Sequence, residues 1–174
     1  MKYPEGSDYA NEFPHFTNFL KNELVDIADD QTIVDALKQW GSVTEEQIID
    51  ALTWGNGPYI KLSYLSSIHT IMGRFNGLPT SHPEGFAGPD TIELNYWTIE
   101  DIEDKLENGG PFDAKVYKFF IAIVILHEYT HYGDFHYNGN MYHETGTETG
   151  WEFEKEIIGT QIDYDNDGLI DAQE

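Results

Sequence analysis

The strongest hydrophobic signal in the chain is a run of eight apolar residues at positions 119–126. It lies within the stretch Lys115–Asp134 and leads directly into the five residues HEYTH at 127–131. A helix that crosses a bilayer needs ~20 apolar residues, so this shorter run predicts the central helix of a globular core.

Helical patterns also dominate the first third of the chain. Apolar residues recur at helical spacing over 16–27, and a second short helix is predicted over 32–40. Thr44 and Gln47 have the spacing of a capping box, which predicts a third helix from there to about Thr53.

The pattern becomes strand-like after this third helix. Residues 59–65 alternate between apolar and polar, and 68–75 is a second candidate strand. A loop rich in glycine and proline at 76–90 precedes TIELNYW at 91–97, the clearest strand in the chain, after which Thr98 is expected to cap a helix. A strand beside the central helix could hold an extended peptide by strand addition, and we assign that role to 91–97 as a hypothesis.

The residues after the apolar run have the spacing of a metal site. His127 and His131 lie four apart on a predicted helix, so their side chains project from one face and can share one ion. A catalytic zinc takes three protein ligands and leaves a fourth position for water. Glu128, which lies beside them, is the candidate base that removes a proton from that water. The pattern thus predicts the first half of a zinc-hydrolase site.

Asp134 follows this motif and has two interpretations. The metzincin pattern requires Gly three residues and His six residues after the second histidine, where this chain has Asp134 and Tyr137, so that pattern is excluded. Asp134 could orient a ligand histidine through its second ring nitrogen, or it could cap the helix end.

The aromatic and histidine-rich segment 132–143 offers several groups that could stabilise an oxyanion, and the sequence does not choose among them.

The third ligand is expected on a second helix, at 147–159, which is rich in glutamate. On a helical wheel Glu154 lies near the middle of an apolar arc, where a lone carboxylate is costly unless it is paired or bound to metal. We therefore predict Glu154 as the third zinc ligand. Glu148 and Glu152 fall on the opposite, charged face and are the alternatives if the helix begins elsewhere.

The last twelve residues carry a second metal signal. They match the EF-hand calcium loop, with acidic residues at positions 1, 3, 5, 9 and 12 and glycine at position 6. The predicted Ca²⁺ ligands are Asp163, Asp165, Asp167, Leu169 through its backbone carbonyl, Asp171 and Glu174. We interpret the loop as structural rather than as a sensor.

Composition narrows the class of protein. The chain has 174 residues, 40% of them hydrophobic, which is enough for one folded domain with a hydrophobic core. Its net charge of −23 argues against nucleic acid or an anionic membrane as partner and favours basic partners or calcium. No cysteine is present, so a metal site must use His, Asp and Glu. The first ten residues lack the pattern of a signal peptide.

Four segments together resemble a known family. HEYTHYGD, the upstream WGNGPYIKL, the strand TIELNYW and the downstream ETGWEFEKEIIG are similar to the zincin-like metallopeptidase toxin domains of bacterial polymorphic toxins, over about 44–159. The resemblance implies secretion or contact-dependent delivery as part of a larger protein, proteolysis in a target cell and a cognate immunity protein. By position it makes His127 and His131 ligands, Glu128 the base and Glu154 the third ligand.

The resulting prediction is an α+β zincin-like metallopeptidase of the gluzincin type, with a small mixed sheet packed on the active-site helix. It comprises a helical segment at 1–43, a metallopeptidase core at 44–160 and a calcium loop at 161–174, all in one compact domain. The expected activity is zinc-dependent hydrolysis of peptide bonds in a protein or peptide, with neither nucleic acid nor membrane insertion involved. The alternatives are a calcium-stabilised binding module with a structural or inactive zinc site, and a secreted peptidase that is not a toxin.

Overall fold

The computed structural model describes most of the chain in full and two short strands by their backbone alone. The fully described residues are 1–65, 71–78, 81, 87–139 and 147–160, and the backbone-only strands are β4 (Ile162–Tyr164) and β5 (Ile170–Ala172), which pair antiparallel. The other elements are α1 (Tyr9–Glu12), α2 (Pro14–Asn22), a 3₁₀ helix (Leu24–Asp29), α3 (Gln31–Trp40), α4 (Glu45–Leu52), β1 (Tyr59–Ser63), β2 (Gly73–Arg74), β3 (Thr91–Asn95), α5 (Tyr96–Asn108), α6 (Pro111–Gly133), a π-helical turn (Asp134–Asn138) and α7 (Thr149–Ile158).

Helix α6 is the centre of the fold, as the apolar run predicts. Its residues from Phe120 to Leu126 are all buried, and it packs against α3, α5, α7 and β3. The helix begins with Pro111 in its first turn, where Asp113 accepts a hydrogen bond from the Gly110 N–H at 3.0 Å. Among the described residues, no helix is both long and apolar enough to cross a membrane.

The N-terminal helices enclose one side of α6. The predicted helix over 16–27 is divided, because α2 ends at Asn22 and a 3₁₀ helix follows, in which Leu24 is fully buried. Glu103 of α5 accepts hydrogen bonds from the first backbone N–H groups of α2, those of His15 at 2.9 Å and Phe16 at 2.8 Å. A buried carboxylate at a helix N-terminus satisfies donors that have no partner within the helix.

The capping box at the start of α4 is confirmed. The Thr44 hydroxyl accepts from the Gln47 N–H at 3.3 Å, and the Gln47 side chain accepts from the Thr44 N–H at 2.8 Å. The helix begins at Glu45 and ends at Leu52, close to the predicted Thr53.

The described sheet has three strands in the order β1, β3, β2. Strand β1 is parallel to β3, and β2 is antiparallel to it on the other side. Because Glu93 and Leu94 pair on both sides, β3 has no open edge there, and the hypothesis that 91–97 adds a substrate strand is wrong. Of the predicted strand 68–75, residues 73–74 form β2, and 66–70 lie outside the described residues.

The start of α5 also differs from the prediction. Tyr96 and Trp97 belong to the helix rather than to the strand, and the N-cap is Asn95, not Thr98. The Asn95 side chain accepts from the Trp97 N–H at 3.3 Å, while Thr98 is fully buried inside the first turn. Asparagine is a strong N-cap residue, so the cap could have been placed three residues earlier from sequence.

The C-terminal ends of α3 and α6 meet at two glycines. A Cβ atom on Gly133 would lie 2.3 Å from the Gly41 carbonyl oxygen and 2.6 Å from Cγ1 of Val43. These distances leave no room for a side chain, so the helix that carries the HEYTH residues is fixed to α3 by direct backbone contact.

We expect Gly133→Ala to lower the free energy of unfolding by ~1–3 kcal/mol, because overpacking forces the two helix ends apart. Urea denaturation followed by circular dichroism measures the change. Gly110→Ala, at the other end of α6, is the control, since its Cβ would meet only Asp113 at 3.5 Å. Equal stabilities of the two variants would contradict the close approach.

Candidate metal centre

Two histidines and one glutamate converge between α6 and the start of α7. Ligand atoms of His127, His131 and Glu148 all lie within 4.8 Å of one another, the one such group of three or more among the described residues. Oε1 of Glu148 lies 3.7 Å from Nε2 of His127 and contacts Nε2 of His131 directly. The predicted pairing of the two histidines on one helix face is thus present, with a carboxylate between their Nε2 atoms.

Glu148 reaches this position because it is the N-cap of α7. Its backbone is extended (φ −77°, ψ 120°), and its carboxylate accepts hydrogen bonds from the N–H groups of Gly150 at 3.1 Å and Trp151 at 2.6 Å. The helical wheel assumed that Glu148 belongs to the helix and so placed its side chain on the charged face. Because α7 begins at Thr149, the wheel does not predict where the Glu148 side chain points.

Glu154 is buried, as the wheel predicts, but it contacts a different nitrogen. It is 4% exposed, and its Oε1 lies 2.7 Å from Nδ1 of His127, on the ring edge away from Glu148. The structure therefore does not group Glu154 with the two Nε2 atoms. Of the carboxylates considered from sequence, the geometry favours Glu148, one of the two alternatives, as the partner of both histidines.

The first turn of α7 makes further contacts with the histidine rings. Oγ1 of Thr149, which is fully buried, lies 3.3 Å from Nδ1 of His131. A Cβ atom on Gly150 would lie 2.4 Å from Nε2 and Cδ2 of His127, so glycine allows the helix to approach that ring. Sequence reasoning did not single out Thr149 or Gly150, although Gly150 lay on the apolar arc of the wheel.

Glu128 lies on the other side of the histidines, against strand β2. It is 7% exposed, and its carboxylate accepts a hydrogen bond from the Phe75 N–H. A Cβ atom on Gly73 would lie 2.7 Å from Cγ and 2.8 Å from Oε1 of Glu128. The absence of a side chain at Gly73 therefore makes room for this carboxylate.

Asp134 serves the end of α6 rather than a histidine. Its Oδ1 accepts hydrogen bonds from the Ser42 hydroxyl at 2.7 Å and from the Asn138 amide at 3.2 Å. Its backbone N–H bonds to the carbonyls of Thr130 and His131, which favours the capping interpretation, while Nδ1 of His127 and of His131 face α7 instead.

The aromatic segment after α6 is described only in part. Nε2 of His136 lies 2.7 Å from the Pro89 carbonyl oxygen, and Tyr137 is half exposed. Residues 140–146, which include Tyr142 and His143, lie outside the described residues.

Hydrogen bonds and neighbouring charges at the centre favour the charged forms of His127 and Glu148. Burial alone would lower the pKa of His127, but the hydrogen bond with Glu154 and the neighbouring carboxylates raise it to about 9. Burial would raise the pKa of Glu148, yet the hydrogen bond with His131 and the charges of both histidines lower it to about 2. At Glu128 burial prevails, and its pKa is raised.

This set of residues fits a divalent metal ion. Imidazole nitrogens and a carboxylate oxygen suit transition metals, and the surrounding carboxylates supply the negative charge that a buried cation requires. Glu128, next to His127 in the chain, does not belong to the group.

The proposed calcium loop cannot be compared with the structure in the same way. The side chains of residues 161–174 lie outside the described residues. The six predicted Ca²⁺ ligands there, Asp163, Asp165, Asp167, Leu169, Asp171 and Glu174, therefore stay a prediction.

Comparison with protein families matches residues 9–159 to the model described as Metallopeptidase toxin 3. The match begins in α1, so the family domain includes most of the N-terminal helical segment, which the resemblance over 44–159 had left out, and it ends before the EF-hand-like loop. Comparisons with curated proteins and with solved structures gave no match. The match covers most of the chain, and its name agrees with the His-His-Glu group that the fold assembles. The chain belongs to the metallopeptidase toxin 3 family.

Proposed function

We propose that the chain is a zinc-dependent endopeptidase of the zincin type, which acts as a toxin by cleaving a protein of the target cell. The observation that carries this proposal is the convergence of His127, His131 and Glu148, with Glu128 beside them and outside the group. A His₂Glu donor set with a non-ligand glutamate next to the first histidine is the arrangement of catalytic zinc sites.

The zinc ligands in this proposal are Nε2 of His127, Nε2 of His131 and a carboxylate oxygen of Glu148. Zinc bound there would supply Lewis acidity, which lowers the pKa of a water molecule and polarises the carbonyl under attack. The N-cap hydrogen bonds from Gly150 and Trp151 hold the Glu148 carboxylate in place before any ion binds.

Glu128 has the surroundings of a general base. Burial raises the pKa of its carboxyl group, which favours uptake of a proton, and its position beside Gly73 fixes the carboxylate against strand β2. In the proposed reaction Glu128 accepts a proton from the attacking water and returns it to the leaving amine nitrogen.

Among the described residues, strand β2 is at the edge of the sheet, and we infer that this edge receives the substrate. The Met72 carbonyl accepts from the Asn95 N–H at 2.8 Å, and Arg74 pairs with Glu93, so the N–H and C=O of Gly73 point away from β3. Glu128 lies against the Cα of Gly73 and accepts a hydrogen bond from the Phe75 N–H, two residues further along the chain. An extended peptide that pairs with Gly73 would pass the base and be recognised by its backbone, which replaces the role first given to 91–97.

The biological setting in this proposal follows the family. We infer delivery as part of a larger bacterial protein and inhibition by a cognate immunity protein. The charge of −23 favours a basic surface on that partner. The terminal loop would bind Ca²⁺ in a structural role.

Glu128→Gln is expected to lower peptide hydrolysis by ~10²–10⁴-fold, the usual contribution of a general base, while zinc binding stays intact. Casein hydrolysis and zinc content of the purified proteins measure the two effects. Expression of both forms in a susceptible bacterium then tests toxicity. An active Glu128→Gln protein would refute the mechanism.

Loss of a residue that hydrogen-bonds to a metal ligand weakens metal binding by ~10–100-fold. Glu148→Ala is expected to weaken zinc binding by more than this, because it removes a direct ligand. Competition with a chromophoric chelator measures the dissociation constant. Glu152→Ala is the matched control, because its carboxylate bonds to Lys155 on the same helix and does not belong to the group of His127, His131 and Glu148. If only Glu152→Ala lost zinc, the assignment of Glu148 would be wrong.

A further inference from the structure

The two histidine nitrogens that face away from Glu148 are both held by α7. Nδ1 of His127 lies 2.7 Å from Oε1 of Glu154, and Nδ1 of His131 lies 3.3 Å from Oγ1 of Thr149. Both partners are buried, Glu154 at 4% exposure and Thr149 at 0%. Water therefore competes little for either contact.

These contacts favour a proton on Nδ1 of each ring once a metal ion takes the lone pair of Nε2. An ionised carboxylate can only accept, so Glu154 requires a proton on Nδ1 of His127, and in the neutral ring the lone pair is then on Nε2. The Thr149 hydroxyl can accept from Nδ1 of His131 in the same way. With Nδ1 protonated, the Nε2 lone pair of each neutral ring points to the side on which Glu148 lies. A metal ion would take the place of the proton through which Nε2 of His131 contacts Glu148.

One rigid element sets all of these positions. Glu148 is the N-cap of α7, Thr149 is its first residue, and Glu154 follows in the second turn. Gly150 lets this helix approach the ring of His127 closely enough for the contacts to form. The orientation of both rings thus depends on how α7 docks onto α6.

We propose that Glu154 and Thr149 are positioning residues, each of which fixes the tautomer and ring plane of one zinc-binding histidine. The inference rests on the proposed function in taking the two Nε2 atoms as ligands. It gives Glu154 a role different from the direct ligation predicted from sequence, and it assigns Thr149 a role for the first time.

The two possible roles of Glu154 predict different spectra. A ligand that is lost changes the coordination of the ion, whereas a positioning residue that is lost lowers affinity and leaves the bound geometry unchanged. Co²⁺, whose visible absorption reports coordination, separates these cases when each variant is saturated with the metal.

The experiment compares two substitutions at each position with one control. Glu154→Leu removes charge and acceptor, and Glu154→Gln keeps an acceptor without the charge. Thr149→Val removes the hydroxyl at equal volume, and Thr149→Ser retains it. Glu152→Gln is the control on the same helix. Zinc affinity is measured by chelator competition. The Co²⁺ absorption spectrum is recorded for each protein saturated with the metal, and folding is measured by urea denaturation of the metal-free proteins.

We expect Glu154→Leu and Thr149→Val to bind zinc ~10–100-fold more weakly, with a smaller loss for Glu154→Gln and almost none for Thr149→Ser. The Co²⁺ spectra at saturation should match that of the unaltered protein. Should Glu154→Leu fail to fold, Glu154→Gln and Thr149→Val decide the question.

Unchanged zinc affinity in Glu154→Gln and Thr149→Val would overturn the proposal. A changed Co²⁺ spectrum in either Glu154 variant would overturn it as well, because Glu154 would then be a ligand. The proposed function fails on different results, namely an active Glu128→Gln protein or full zinc affinity in Glu148→Ala, so the two failures are distinguishable.

Discussion

The structure depends on the docking of the α7 N-terminus against the last turns of α6. This contact buries Glu148 and Glu154 beside His127 and His131, an arrangement that is stable only when each charge meets a partner. Gly150 permits the approach, since any larger side chain would overlap the ring of His127. The burial of opposite charges between two helices thus explains both the packing of this region and its fitness for a cation.

The contribution of the sheet to the site is to hold the carboxylate of Glu128 in position. Glu128 lies against β2 because Gly73 leaves space and Phe75 donates its N–H. β2 is itself held to β3 by the pairing of Arg74 with Glu93, whose carboxylate is 2% exposed and accepts from the Arg74 guanidinium at 2.6 Å. Glu128 and the two histidines therefore come from one helix, α6, but are fixed by different neighbours.

The N-terminal helices explain why the family domain begins at residue 9. Phe16 and Leu20 of α2 and Val34 and Leu37 of α3 are buried in the same hydrophobic core as α6. An almost entirely apolar helix requires neighbours on every side, and these segments supply one of them. The segment 1–43 thus shares its core with the residues that follow.

The sequence by itself determined what depends on local spacing. His127, Glu128 and His131 lie on one helix because i and i+4 positions share a face, and the Thr44 capping box and the burial of Glu154 follow from similar short-range patterns. Tertiary structure decided the rest. That Glu148 rather than Glu154 lies near both Nε2 atoms depended on where α7 begins and how it docks, and the central place of β3 depended on strand order. Neither is set by neighbours in sequence, because both arise from contacts between distant segments.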